Sequence, residues 1–272
     1  MHIKLFKKLV IVLLLAMAET PAFANNSYQT IIESNTPSII ESLNSAAQQQ
    51  QIYAKPIGDV VEWTALQLLD KPYARALLDQ RTPEYLYVSL NDTDCMLFVE
   101  EVLATSQLIK NKKLDGANLA KQTKLLRYHG NVAYCMRNHY FKDWALENIE
   151  KGYVVDEAYA LTKVDFPYPA NVMSIHLKTV ASDIHKNDLA CISKREIAIN
   201  KEHLGFIPLA TLPKYLTLIH SGDIIGIVRT PSGAADAVHH LGIAYVHDGK
   251  VSMIHASSTF NKVVVADTLL GY

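Results

Sequence analysis

Asp94-Cys95-Met96-Leu97-Phe98-Val99-Glu100 opens the strongest helical stretch of the chain, and the fold is read outward from it. Phe98, Val99, Val102, Leu103, Leu108 and Ile109 fall close to the i, i+3, i+4, i+7 spacing of a buried stripe, which predicts a helix over residues 95–110. Asp92, Thr93 and Asp94 are each suited to cap its start. With Asp94 as the cap, Cys95 lies in the first turn. There the helix dipole and unpaired N–H groups favour a thiolate and can hold an oxyanion. A small buried structural cysteine is the other reading of the same segment.

Downstream, residues 223–228, 241–246, 251–256 and 262–266 are short β-branched runs that read as antiparallel strands. Asp248-Gly249 between the middle two is a two-residue hairpin signal. Such a turn pairs His247 with Lys250 and brings His255 opposite Gly242. Side chains alternate along a strand, so His240 shares a face with Gly242 and becomes a diagonal neighbour of His255. A base with a polar group beside it is what a nucleophile–base–orienter site requires. Gly242 leaves space beside the imidazoles. A three-residue turn would send His255 to the opposite face. His239 competes for the role of base, but it shares its face with Leu241 and Ile243, which suits a packed or partly exposed surface.

Upstream, helical patterning covers residues 60–69 and 73–78, and the polar residues 25–54 read as a loosely attached helix or two. Residues 111–220, with a Pro-containing stretch at 165–169, are too long for a simple loop and read as an inserted segment expected to form part of the substrate cleft. Helices first and strands later predict an α+β domain over residues 25–272. Residues 1–24 read as an export signal: Lys4, Lys7 and Lys8, an apolar run over 9–18, then Ala22-Phe23-Ala24 with the cut before Asn25. An uncleaved anchor is the alternative, although the run is short for a membrane span. Cleavage would leave no stable membrane anchor and a periplasmic or secreted product. The net charge is −1 and no long basic block occurs, which argues against nucleic acid as a partner. Of three cysteines, Cys135 and Cys191 could pair in an oxidising compartment, leaving Cys95 as the odd thiol.

These residues carry a family resemblance. Asp-Cys at a helix start, Gly222-Asp223-Ile224-Ile225, His240-Leu241-Gly242-Ile243 and Ile254-His255-Ala256 resemble, in that order, the NlpC-type papain-like peptidoglycan hydrolases. The resemblance implies a papain-like fold with Cys95 as nucleophile, His240 as base and His255 as its orienting partner. Lys71-Pro72-Tyr73 is similar to the segment whose Tyr lines that active site, so Tyr73 joins the candidates. A narrower resemblance, to the N-acetylmuramoyl-L-alanine amidase-like branch, rests on Asp94-Cys95, residues 98–104, Arg127-Tyr128, residues 137–144 and residues 255–258. It implies cleavage of the amide between the lactyl group of N-acetylmuramic acid and L-alanine, in muropeptides that include anhydro forms. The substrate partner is then a muropeptide or peptidoglycan fragment. Met96 departs from the pattern, standing where a small hydroxylated residue is usual; so does Ala74-Arg75-Ala76, which lacks a glycine.

Arg137, Asn138, His139, Tyr140 and Trp144 mix a cation, amide and aromatics in a way that suits a sugar-peptide. The alternative is a helix start with Tyr140 and Trp144 packed in the core. Asp94 is counted with them as a candidate binding residue, beside its capping role. Cys135 and His139, four apart, could form a second Cys/His pair or half a metal site, but zinc sites usually need three or four protein ligands. No metal or organic cofactor is expected. The expected chemistry is a thioester route in which His240 holds Cys95 as thiolate. The competing readings are a stem-peptide endopeptidase with the same catalytic residues, a zinc amidase using His240 and His255, and a non-catalytic cell-wall binding protein.

Overall fold

The computed structural model describes residues 28–78, 83–179, 186–229 and 237–272, so the expected export signal at 1–24 lies outside the described residues, as do positions 234–236 before the histidines. The described N-terminal residues are tied down rather than loosely attached. Strand β1 (Thr30–Ile32) pairs in parallel with β2 (Leu86–Val88), and helix α1 (Thr36–Gln49) buries Ile40, Leu43 and Ala47. Three-residue strands are too short to show a period-two pattern, which is why the sequence reading missed this pair. Helix α2 (Ile57–Gln67) matches the expected helical stretch with its boundaries shifted.

Residues 73–78 are not helical. Pro72 and Tyr73 instead form isolated bridges to Lys262 and Thr93. The amide of Tyr73 donates to the Asn261 carbonyl at 3.0 Å, and that of Ala74 to the Thr93 carbonyl at 2.8 Å. Those bonds hold the start of the segment in strand-like bridges rather than in a helical turn.

Helix α3 runs over Cys95–Lys110, the predicted span. Asp94 is extended, and its carboxylate accepts from the amides of Met96 and Leu97 at 3.0 and 2.9 Å. The buried face is wider than a stripe: Glu100, Glu101, Thr105 and Ser106 are buried together with the apolar residues. A helix buried on nearly every side belongs to the middle of a fold. Its charged residues are paired accordingly. Glu100 takes the Arg127 guanidinium at 2.7 Å, and Glu101 takes the Lys71 ammonium at 2.5 Å.

The segment at 111–220 has its own structure, mostly helical: α4 (Gly116–Arg127), α5 (Phe141–Glu150), α6 (Glu157–Thr162), α7 (Val172–Thr179) and α8 (Leu189–Ile199). A disulfide between Cys135 and Cys191, with Cα atoms 6.1 Å apart, joins the turn before α5 to α8.

The C-terminal part is an antiparallel meander of β3 (Ile224–Val228), β4 (Val238–His247), β5 (Lys250–Ser257) and β6 (Lys262–Val265). The β4–β5 register is the predicted one, with His247 opposite Lys250 and Ile243 opposite Ile254. Asp248 and Gly249 both have positive φ, 49° and 72°, as the tight hairpin turn requires. Gly242 does not open space beside the imidazoles. A Cβ there would lie 2.5 Å from Met253 Cγ and 2.7 Å from the Ile254 carbonyl, so the glycine lets β4 and β5 pack. Leu241, Ile243, Ile254, Ala256 and Val263 of the sheet join Phe98, Val99 and Val102 of α3 in one core, which yields the α+β architecture.

Candidate active site

Packing α3 against the sheet sets Cys95 beside β4. The thiol is partly buried, and the Leu241 backbone N–H points to its sulfur, as do the amides of Cys95 and Met96. His240 immediately precedes Leu241. Its Nε2 lies 2.7 Å from His255 Nδ1, so the two predicted histidines share one hydrogen bond. His255 is buried and His240 partly so, while His239 is exposed on the other face.

The electrostatics differ from the expected thiolate. Burial, with the Asp94 carboxylate adding to it, pushes the Cys95 thiol up to about 11. The helix-start amides act in the opposite direction but are outweighed. Asp94 caps the helix with its carboxylate, so the charge that starts α3 also disfavours a thiolate one residue on. Burial, then His255 and His239, lowers His240 to about 4, and burial lowers His255 to about 4. The resting pair is therefore a neutral thiol beside a neutral imidazole.

Two tyrosines flank this centre. Tyr73 sits on the bridged segment, hydrogen-bonded to Arg75; its phenol is held above the ordinary range by burial and then by Cys95 and Asp94. Tyr272, which the sequence reading did not single out, stacks on His240 with ring centroids 5.3 Å apart. The Lys71–Glu101 pair ties the Tyr73 segment to α3, and burial raises Glu101 to about 7 against the pull of Lys71. Sequence spacing could not reveal that tie, because Lys71 and Glu101 lie on different elements.

The block at 137–144 has intramolecular partners. Arg137 donates to the Leu78 carbonyl at 3.2 Å and lies over the Tyr134 ring, and Asn138 donates to the Leu126 carbonyl at 3.2 Å. His139 donates through Nε2 to the Tyr134 carbonyl at 2.7 Å. Tyr140 donates to Glu196 at 2.5 Å and accepts from the Met173 amide. Trp144 is 1% exposed. The structure assigns Tyr140 and Trp144 to the core, so neither ring offers a face to a sugar. Cys135, in its disulfide, is no partner for His139 in a metal site or catalytic pair. Among the described residues no cluster of three or more His, Cys, Asp or Glu could hold a metal.

Fold and site together define an α+β protein with a helix-start cysteine beside a hydrogen-bonded histidine pair on an antiparallel sheet. The AmiA-like family model, described as N-acetylmuramoyl-L-alanine amidase-like, matches residues 64–272, and the chain belongs to that family. It is similar to the crystal structure of an N-acetylmuramoyl-L-alanine amidase from Bacteroides uniformis, with 31% identity and a TM-score of 0.70, covering 78% of this chain and 90% of that one. A Bacteroides fragilis protein described as a xylanase is similar at 30% identity and a TM-score of 0.68, covering 76% and 90%. A Legionella pneumophila protein shares the fold at 19% identity and a TM-score of 0.61, covering 88% and 91%. No curated protein sequence matches the chain.

Proposed function

We propose that the protein is an exported cysteine amidase of the papain-like, NlpC type that cleaves the bond between N-acetylmuramic acid, anhydro forms included, and L-alanine. The observation that carries the reading is the 2.7 Å His240–His255 hydrogen bond beside Cys95. Because His255 occupies Nε2 of His240, Nδ1 is the nitrogen left to receive a proton from the thiol. That requires His240 to carry its proton on Nε2 and donate it to His255 Nδ1.

Attack and proton transfer then occur together. Cys95 Sγ bonds to the lactyl carbonyl carbon as its proton passes to His240 Nδ1. The amides of Met96 and Leu97 are engaged by the cap, which leaves the amides of Cys95 itself and of Leu241 at the sulfur to meet the oxyanion. His240 next protonates the amine of L-alanine, which departs. Water, deprotonated by the same imidazole, hydrolyses the thioester and restores the thiol. No cofactor enters these steps.

Glycoside cleavage would ordinarily need two carboxyl groups flanking the bond. Here Asp94 caps α3, and Glu100 and Glu101 are buried in ion pairs. Export is supported by the sequence of residues 1–24 and by the Cys135–Cys191 disulfide, which suits an oxidising compartment. The test is mass spectrometry of products from a defined mixture of reducing and anhydro muropeptides. Free stem peptide beginning with L-alanine is the expected product. A cut within the stem peptide would make the enzyme an endopeptidase, and no product from any muropeptide would leave a binding role.

A further inference from the structure

The segment after β6 turns back along the sheet. The amide of Ala266 donates to the Met253 carbonyl and that of Leu269 to the Val251 carbonyl, both at 2.9 Å. Gly271 donates to Thr268 Oγ1 at 3.0 Å, and Leu269 is buried. Those anchors fix where Tyr272 falls. Its ring lies over His240, centroids 5.3 Å apart and planes within 18°, and meets His255 edge-on at 5.0 Å and 84°. Tyr272 remains half-exposed. One aromatic side chain therefore touches both imidazoles and faces solvent with the remainder.

We propose that Tyr272 is a positioning residue for the histidine pair. Its ring covers one face of His240, keeps Nδ1 turned to Cys95 and excludes water from the His240–His255 hydrogen bond. The backbone of β4 fixes only the Cα of His240, and the bond to His255 fixes one ring nitrogen. A stacked ring fixes the plane, the remaining freedom of an imidazole held by a single hydrogen bond. The proposal rests on the reading of His240 as the base.

His240 faces His255 from β5 and the ring of Tyr272; Cys95 from the start of α3 lies next to both Tyr272 and Tyr73, and Asp94 next to Tyr73. His239 adjoins His240 on β4, with Arg229 next to His239. Burial is the largest influence holding His240 near 4, and Tyr272 supplies part of that cover.

The experiment is the pH profile of kcat and kcat/KM for wild type, Tyr272→Phe, Tyr272→Ala and His240→Ala on one muropeptide. Tyr272→Phe keeps the ring and should stay near wild type. Tyr272→Ala should lose about tenfold in kcat with little change in KM. Its acid limb should move from about 4 toward the ordinary histidine value of about 6.5. A Tyr272→Ala profile that coincides with wild type, or a change confined to KM, overturns the proposal. If His240→Ala retains wild-type activity, the base assignment falls instead, and the inference with it. Tyr272 is half-exposed, so the alanine variant should fold, and an unchanged melting midpoint would separate mispositioning from unfolding.

Discussion

At the residue scale, the site turns on two neutral groups. A cysteine in the first turn of a helix ordinarily gains thiolate character, but burial, and after it Asp94, reverse that here and push the thiol to about 11. Alkylation of Cys95 by iodoacetamide should therefore be slow at neutral pH and rise toward pH 11. Asp94→Asn keeps a capping oxygen and removes the charge, so the alkylation profile should shift to lower pH; an unshifted profile would remove Asp94 from the account. Asp94→Ala loses the cap as well and should cost about 1 kcal/mol in denaturant unfolding. The histidines carry the opposite sign. Both are lowered from 6.5 to about 4 in the folded protein, so between those values the unfolded chain binds more protons. Their contribution to stability is present above about pH 6.5 and is lost as pH falls toward 4. Urea midpoints measured at pH 7, 5 and 4 should fall in that order, and less steeply in His255→Phe.

At the element scale, α3 and the hairpin were readable because each carries its own signal. Asp94 capped the predicted start, and Asp248-Gly249 set a register that put His255 beside His240. The parallel β1–β2 pair, the Tyr73 segment and the Tyr272 stack were not readable. Their geometry comes from partners distant in sequence: Leu86 for Thr30, Thr93 and Asn261 for Tyr73, Val251 for the residues leading to Tyr272. Aromatic composition alone also misdirected the reading of Tyr140 and Trp144, whose types suit a sugar platform and a core equally well. The Lys71–Glu101 pair is the element-scale tie between Tyr73 and α3. Lys71→Met leaves a buried carboxylate unpaired and should cost about 3–5 kcal/mol. Thermal unfolding would register it, and a variant as stable as wild type would show that the pair does not hold the segment.

At the scale of the whole molecule, the inserted helices are tied to one another. Arg195 of α8 bonds to Asp143 of α5 at 2.8 Å, and the disulfide joins α8 to the turn before α5 across 56 residues. Replacing both Cys135 and Cys191 by Ala should cost about 2–5 kcal/mol, read from denaturant midpoints. Activity at low temperature should persist, because neither cysteine lies at the site. Loss of activity in a folded double variant would instead place the inserted helices in the substrate cleft.

Cys95 is proposed to cleave the muramyl–L-alanine amide without metal. The direct measurement is the rate of L-alanine-terminated peptide release from a muramyl peptide by the wild type and by Cys95→Ala, each with and without a strong chelator. Cys95→Ala should lose about 10³-fold or more, and chelator should have no effect. A Cys95→Ala variant that releases the same peptide at the wild-type rate, or a wild type silenced by chelator alone, would contradict that proposal.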